Sequence, residues 1–464
     1  MKRYQVIAGK LAEQIDQGVY VLGERMPGIR QLSQDFGVSV ATIVHAHQLL
    51  EDQGYLEARS RSGHYVARRR PLPLAQVRST LKSPVRLAQR QFWYASLRDA
   101  QSCSVVLGNA IPHRDFLPVH AMRRAMSTAA RLDNVSPHYM FPPGFPPLRR
   151  QIAKRMLKTG AMIDPEQIII TAGAQEAVRL ALQAVAKDHA VIAVESPVFY
   201  GILQVIESLK MRAVEIPTDP QSGISLQALK LAAEQWQVQA CVVVPHHNNP
   251  LGYTMPNPAK AKLLQIARQY DMRIIEDDVY GDLGFDAVRP TSLLSMDKHD
   301  RVMYCSSFSK TVMPGLRIGW CIAGSRQPEV EQLKFISNIA SASLPQAALA
   351  YYLSRSGHEK YLRRIRSDYA HQMALYQHAV LEAFPDQTKV SHPSGGFVLW
   401  VECPTSVDIM QLYQKALQQG IHIAVGPLFT AKPAFNHCLR LNVAIPWQRP
   451  IAKAIQTLGS LARE

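Results

Sequence analysis

Between residues 168 and 324 the chain returns six times to a short, unbroken apolar run, with amphipathic helical patterns between. The runs are IIIT (168–171), VIAV (191–194), CVVV (241–244), RIIEDD (273–278), VMYCSS (302–307) and GWCIAG (319–324). Continuous Val/Ile runs of this length suit strands buried on both faces, which means a mainly parallel sheet covered by helices. Ligands of such sheets sit beyond the strand carboxyl ends. Four polar clusters fall there: Gly173-Ala174-Gln175, Asn249-Pro250, Asp277 to Tyr280, and Ser307 to Lys310.

Composition supports a folded chain. Of 464 residues, 47% are hydrophobic and 19% charged, so a sizeable core can form and wholesale disorder is excluded. No apolar run approaches the roughly 18–20 residues of a membrane span. The N-terminal stretch MKRYQVIAGKLAEQID breaks its apolar positions with charge, unlike a secretory signal. Cys103, Cys241, Cys305, Cys321, Cys403 and Cys438 lie far apart with no CxxC pair. That spacing argues against a zinc site or a secreted disulfide framework and fits a cytoplasmic location.

The net charge of +16 is unevenly spread: residues 1–98 hold 15 Lys/Arg against 7 Asp/Glu. A basic module suits a polyanion, because each cation that neutralises a phosphate releases a counterion. A basic solvated face would look the same from charge alone, so the local pattern has to decide. Ile7, Leu11 and Ile15 recur at helical spacing up to Gly18, and a second short helix follows Pro27 with Ile29, Leu32 and Phe36 inward. After the Gly37-Val38 turn, Ser39 is placed to cap a third helix from Val40 to about Asp52, ended by Gly54. YLEAR and HYVA flank the turn Ser60-Arg61-Ser62-Gly63 as a hairpin. Helix, helix, turn, helix and hairpin make a winged helix-turn-helix, whose third helix enters the DNA major groove.

The stretch MPGIRQLSQDFGVSVATIVHAHQLLEDQGYLEARSRSGHYV resembles the DNA-binding domain of GntR-type bacterial repressors, over nearly all of residues 1–67. Resemblance and chemistry together point to Arg25, Arg30, Ser39, Thr42, His45, Arg59, Arg61 and Gly63 as DNA-contacting positions. The family usually has Ser in place of Gly28 and Tyr in place of His47. An ordinary exposed helix position is the expectation for His47. His45 and His47 are two residues apart and cannot form an i, i+4 metal pair.

Residues 68–98 begin RRRPLPLAQVRSTLKSPVR, which pairs Arg, Pro and Ser with little periodicity and is expected to be a basic linker. A tether of about 30 residues would reach half-sites about 34 Å apart. FWY at 92–94 is expected to begin the packed domain.

The polar clusters at the strand ends, taken with SSFSKTVMPGLRIGW (306–320), resemble fold type I pyridoxal-phosphate enzymes, the aspartate-aminotransferase superfamily, over roughly 108–445. The resemblance implies a large domain with a mainly parallel sheet and a smaller C-terminal α+β subdomain, with pyridoxal 5'-phosphate as cofactor. Lys310 matches the lysine that bonds to the coenzyme aldehyde, and Arg317 the arginine that grips its phosphate. Ser307, Ala174 and Gln175 match further phosphate ligands. Asp277 matches the partner of the pyridine nitrogen; Tyr280 and Asn249 match the groups on the ring hydroxyl. Phe199 matches the ring-stacking aromatic, with Tyr200 as its neighbour. Arg440 matches the arginine for a substrate carboxylate, and Tyr139 a residue reaching the coenzyme phosphate of a partner subunit. His246-His247 lack i, i+4 spacing and nearby carboxylates in the sequence, so no metal is expected.

A GntR-type reader (1–67), a basic linker (68–98) and an aminotransferase-like domain (99–464) together resemble the MocR family of bacterial transcription regulators. That resemblance implies a homodimer that binds double-stranded operator DNA and senses the coenzyme, an amino acid or an amine. A working aminotransferase carrying a DNA-binding domain is the alternative, since the residues for turnover are present.

Overall fold

The computed structural model of the protein describes residues 3–17, 19–21, 23–52, 54–59, 63–67, 73–76, 79–86, 91–132, 138–286, 288–355 and 357–464. A first compact unit comprises Met1–Pro73 with Ala374–His378; a second takes up Leu74–Met373 and Ala379–Glu464.

The first unit contains α1 (Arg3–Asp16), α2 (Ile29–Asp35), α3 (Val40–Asp52) and the strands β1 (Leu56–Arg59) and β2 (Gly63–Val66). Its core joins Ile7 and Leu11 of α1, Leu32 of α2, Ile43, Ala46 and Leu50 of α3, and Leu56 and Val66 of the hairpin. Ile15, Ile29 and Phe36 pack against that core, partly buried. The strands are antiparallel, with Leu56 opposite Val66 and Arg59 opposite Gly63. Ser39 caps α3: the Thr42 N–H donates to its Oγ at 3.3 Å.

His47 is not exposed. Only 2% of it is accessible. It lies four residues after Ile43 and three before Leu50, on the buried stripe of α3, which outweighs its polarity. The His64 ring meets it edge-on, with centroids 4.5 Å apart. Burial and the neighbouring His64 push its pKa down to about 4.

The strands of the second unit, in chain order, begin with β3 (Val85–Arg86), β4 (Val105–Val106), β5 (Ile168–Thr171), β6 (Val191–Ser196) and β7 (Arg212–Asp219). There follow β8 (Gly223–Ile224), β9 (Val238–Val243), β10 (Arg273–Asp277), β11 (Val302–Ser307) and β12 (Gly319–Ile322). The large sheet runs β3-β7-β6-β9-β10-β11-β12-β5, with β8 paired to β7. β6, β7, β9, β10 and β11 are mutually parallel, whereas β12 runs against both β11 and β5. Alternate residues feed two cores: Ile169, Met303 and Cys321 enter one, Ile170, Tyr304 and Trp320 the other. β7 (RAVEIPTD) escaped the apolar-run pattern because Glu215 and Pro217 interrupt it.

Helices α4 (Gln91–Ser102), α5 (Val119–Ala129), α6 (Pro146–Met156), α7 (Ala174–Val185), α8 (Tyr200–Ser208), α9 (Leu226–Trp236) and α10 (Asn257–Gln269) interleave with the strands. α11 (Leu293–Met296), α12 (Gln327–Asn338), α13 (Ser343–Ser354) and the long α14 (Gly357–Ala383) follow. A C-terminal subdomain then adds β13 (Lys389–Val390), β14 (Val398–Glu402), α15 (Ile409–Gln418), β15 (Ile421–His422), β16 (Ala424–Val425), β17 (Cys438–Asn442) and α16 (Arg449–Leu461). Its sheet has the order β13-β14-β17-β16, and β15 pairs with β4.

The stretch read as a tether is largely committed to the second unit. Leu74 bridges Val390, and the Ala75 N–H donates to Val390 O at 3.1 Å. The Gln76 N–H donates to Glu402 at 2.7 Å, β3 extends the edge of the large sheet, and α4 already starts at Gln91. Short apolar segments of this kind bury a residue or two and pair one sheet edge, which leaves no periodicity to read. Residues 68–72 lie outside the described residues.

Candidate functional sites

In the first unit, Arg25, Arg30, Ser39 and His45 are exposed, and Thr42 is half-buried at the start of α3. Ser39 Oγ and Thr42 Oγ1 are 2.9 Å apart, so the exposed helix start carries a hydroxyl pair as well as a cap. Gly63 adopts φ +107, a conformation that suits glycine, and a Cβ there would lie 3.4 Å from Arg25 Nε. The base of the wing and Arg25 are thereby brought side by side. Arg61 lies outside the described residues, as does the side chain of Arg59.

In the second unit, two buried groups with strongly shifted electrostatics lie at and just beyond the ends of β10 and β11. Asp277, the last residue of β10, is buried, and its Oδ1 has no hydrogen-bond partner among the described residues. Burial and the neighbouring Asp278 raise its pKa to about 7, with Lys310 opposing them. Tyr280 is buried beside it, and the Asn249 side-chain amide donates to the Tyr280 hydroxyl at 3.3 Å. Lys310 follows β11. Its Nζ sits 6.0 Å from the Tyr280 ring centroid and donates to Ala110 O at 2.8 Å. Burial, then the cations Arg440 and Arg317, lower its pKa to about 8, while Asp277 resists.

Arg440, on β17, is fully buried. It donates through Nη1 to Asn249 Oδ1 at 3.1 Å and through Nη2 to Gly108 O. Its Nε has no partner among the described residues. Asn249 therefore links Tyr280 to Arg440, so one residue from the turn after β10, one from the C-terminal sheet and one from the turn after β9 converge.

At the neighbouring strand end, α7 begins after Gly173, which has φ +87 and supplies no side-chain cap. A Cβ on Gly173 would lie 2.6 Å from Arg317 Nη2. Arg317 is exposed and donates through Nη2 to Ala172 O at 2.9 Å. A guanidinium beside uncapped N–H groups of Ala174 and Gln175 is an anion cradle. Gln175 is exposed, and its amide donates to Gly201 O at 2.8 Å. Ser307 is buried, with its Oγ accepting from the Ser309 N–H at 3.3 Å. Phe199 is half-buried against Tyr200, ring centroids 4.6 Å apart. Tyr139 stands apart from this cluster: it is 69% exposed and packs on Phe141.

These residues fit pyridoxal phosphate on two counts. A buried, unpartnered carboxylate oxygen at Asp277 suits a protonated ring nitrogen, and the Gly173–Arg317 cradle suits a phosphate dianion.

Behind Asp277 lies a network that the sequence did not disclose. Asp278 accepts from Arg289 at 2.7 Å and Tyr304 at 2.8 Å, and lies 2.9 Å from His246 Nδ1. Contrary to expectation, then, His246 does meet carboxylates: Glu276 and Asp278 both offer an oxygen near it. Strand alternation and the turn after β9 bring them together, which sequence spacing cannot show. The Lys260 ammonium, 2.8 Å from His246 Nε2, and Arg289 already supply positive charge there. The other unforeseen contributors are Gly108 and Ala110, whose backbone carbonyls carry no side-chain signal; the glycine after VVL was the only hint.

Comparison with known proteins agrees with both halves. Residues 3–66 match the family of bacterial regulatory proteins of the gntR type, and residues 109–458 match aminotransferase class I and II. The Escherichia coli K12 HTH-type transcriptional regulator YjiR, itself uncharacterized, is 36% identical over 463 residues, covering 99% of this chain and 98% of its own. A second such regulator from that organism, YdcR, is 37% identical over 473 aligned residues, with both chains fully covered. The chain belongs to the MocR type of HTH-type transcriptional regulators. It is a DNA-binding regulator with an aminotransferase-like domain, and pyridoxal phosphate is the cofactor of that fold. Among solved structures, the regulator's fold is similar to a multiple substrate aminotransferase from Thermococcus profundus (TM-score 0.75, 23% identity, 81% of this chain and 96% of that one). It is equally similar to the α-aminoadipate aminotransferase LysN from Thermus thermophilus, solved with N-(5'-phosphopyridoxyl)-L-leucine (TM-score 0.75, 24% identity, 82% and 95%). Among the described residues no helix is long and apolar enough to cross a membrane.

Proposed function

We propose that this regulator binds operator DNA through its winged helix as a homodimer in the cytoplasm, and senses pyridoxal phosphate or an amino compound carrying a carboxylate. The observation that carries the ligand half is the convergence of Lys310, Asp277, Tyr280, Asn249 and Arg440, with Asp277 Oδ1 buried and unpartnered among the described residues. When bound, the coenzyme supplies an electrophilic carbonyl and an electron-accepting ring. Lys310, its pKa brought down to about 8, offers the amine that bonds to it. Asp277 holds a proton at the ring nitrogen, and Tyr280 with Asn249 orients the ring hydroxyl. Phe199 stacks on the ring. Arg317, Ser307, Ala174 and Gln175 hold the phosphate. Arg440, desolvated and presented by Asn249, takes the effector carboxylate; a buried guanidinium binds a carboxylate strongly because water does not compete.

In the winged helix, Arg25, Arg30, Arg59 and Arg61 take phosphates, while Ser39, Thr42 and His45 face base edges and Gly63 shapes the wing. The dimer is supported by an exposed aromatic row: Phe141 lies 5.7 Å from Tyr139 and 6.1 Å from Phe335, with Ile336 and Ile339 exposed alongside. Tyr139, on that row, is the residue that reaches the partner's coenzyme phosphate. Six free cysteines suit a reducing compartment.

The test is a visible absorption spectrum of the full chain with pyridoxal phosphate, titrated with amino acids, alongside operator binding. A coenzyme band lost in Lys310→Ala, and an amino acid that shifts the band and DNA affinity without keto acid release, is the expected result. Operator affinity unmoved by coenzyme and amines would end the sensing reading; keto acid release would point to turnover instead.

A further inference from the structure

One short stretch of backbone holds two of the cationic groups of the ligand site, Lys310 and Arg440. Lys310 Nζ donates to Ala110 O at 2.8 Å, and Arg440 Nη2 donates to Gly108 O. The stretch is pinned on either side. The Leu107 N–H donates to His422 O at 2.8 Å, the Asn442 amide to Ile111 O at 2.9 Å, and the His113 N–H to Ala444 O at 2.8 Å. Between those pins, Gly108 and Ala110 turn their carbonyls to Arg440 and Lys310. Gly108 has no room for a side chain: a Cβ would lie 2.5 Å from the His422 ring. Close approach of the backbone is therefore built in.

Both carbonyls sit on the donors that the proposed function assigns to ligands. We infer that Gly108–Ala110 is an internal surrogate ligand, a latch that the coenzyme aldehyde must displace from Lys310 and an effector carboxylate from Arg440. This rests on the ligand roles proposed above. The exchange at Lys310 is chemically defined. Nζ bonds to the aldehyde carbon, the aldehyde oxygen leaves as water, and the nitrogen keeps at most one N–H. The three-donor ammonium that holds Ala110 O is then gone. At Arg440, a carboxylate is the stronger acceptor for a guanidinium than a neutral carbonyl.

The latch has a route outward along the chain. It follows β4, which follows α4. That helix is fastened to the C-terminal subdomain by Ser96 Oγ, 3.0 Å from His422 Nε2, and by the Tyr413 hydroxyl, which donates to Asp99 at 2.8 Å. His422, in turn, is the residue against which Gly108 packs. Upstream of α4 lie β3 and the segment 74–76. Release of the two carbonyls loosens a segment of the ligand site that leads back along the chain, through α4 and β3, toward the DNA-binding unit.

Hydrogen exchange of the full chain, read on peptides spanning 104–113 with β5 as internal control, tests this. Without coenzyme, Lys310→Ala should exchange about tenfold faster than wild type in that peptide, the effect of one charge-assisted hydrogen bond. Pyridoxal phosphate should speed the wild type similarly, while Lys310→Arg, which keeps a cationic donor but cannot bond the aldehyde, should stay slow with or without it. Equal exchange in coenzyme-free wild type and Lys310→Ala would overturn the latch. So would unchanged wild-type exchange in a sample whose visible band shows the coenzyme bound. A wild type with no visible band defeats the proposed ligand instead, leaving the coenzyme-free comparison to decide the latch.

Discussion

Replacing Asp277 with Asn should make the coenzyme-free protein more resistant to unfolding as pH rises, and the coenzyme-bound protein less so. In the free protein the carboxyl pKa stands at about 7 against an ordinary 3.8, mainly through burial and then through Asp278. A carboxyl whose folded pKa is raised favours folding fully only below its unfolded value, and that contribution is lost as pH climbs through the folded value. The wild type therefore sheds about 1.4 kcal/mol per pH unit between roughly pH 4 and pH 7, about 4 kcal/mol in all, and then levels off. Asn carries no such charge. Its buried amide costs about 1–3 kcal/mol, but that cost does not depend on pH. Urea unfolding of the second unit, followed from pH 5 to pH 9 for both proteins, should give a stability difference that moves in favour of the variant up to pH 7 and is flat beyond. With pyridoxal phosphate bound as proposed, a protonated ring nitrogen facing Asp277 would ionise it, so the slope should vanish and the variant should bind the coenzyme more weakly. A difference that is flat from pH 5 to pH 7 in the free proteins would mean that Asp277 is not held in the desolvated state on which the site depends.

Three further outcomes are expected. The rate of coenzyme attachment, followed by stopped-flow absorbance, should rise about tenfold per pH unit up to about pH 8 and then level, since Lys310 reacts only once deprotonated; a midpoint near the ordinary lysine value of 10.5 would refute the desolvated lysine. Arg30→Ala should weaken operator binding and lower the slope of log affinity against log salt by about one, measured by fluorescence anisotropy, and an unaltered isotherm would remove Arg30 from the interface. Gly28→Ser, at the N-cap of α2 where a Cβ meets nothing within 4 Å, should stabilise the winged helix by a few tenths of a kcal/mol in urea melts; destabilisation would show that the cap is already satisfied otherwise.

Much of this architecture was legible because its signals are local. Ser39 as a cap, the hairpin around Gly63 and the apolar runs that became β5, β6 and β9 to β12 each depend on neighbours within a few residues. Where partners are distant, the sequence was silent or misleading. His47 is polar by composition, yet it sits on the buried stripe of α3. The segment 74–86 has no period, yet it pairs with β7 and Val390, from 126 to 316 residues away. His246 has no carboxylate beside it in the chain; its partner Asp278 arrives from the next parallel strand, 32 residues on. The carbonyls of Gly108 and Ala110 belong to this class in its strictest form, since a backbone acceptor leaves no mark in the residue type.

The pair Asp277–Asp278 shows why the distant part of the site matters to its chemistry. Successive residues at a strand end point to opposite faces, so the two carboxylates meet different surroundings. Burial pushes Asp278 upward, but Arg289 and His246 outweigh it, and its carboxyl is held well below the usual range. It is therefore a fixed negative charge with three partners. Asp277 has none among the described residues, and its neighbour's charge adds to its burial in keeping it protonated. A site arranged this way resists ionising Asp277 until a positive group is placed against it, and a protonated pyridine nitrogen is such a group. The locked acid thus tunes the free one. Asp278→Asn should then lower the Asp277 pKa and flatten the pH-dependence of stability described above, even though the substituted side chain never touches the ligand.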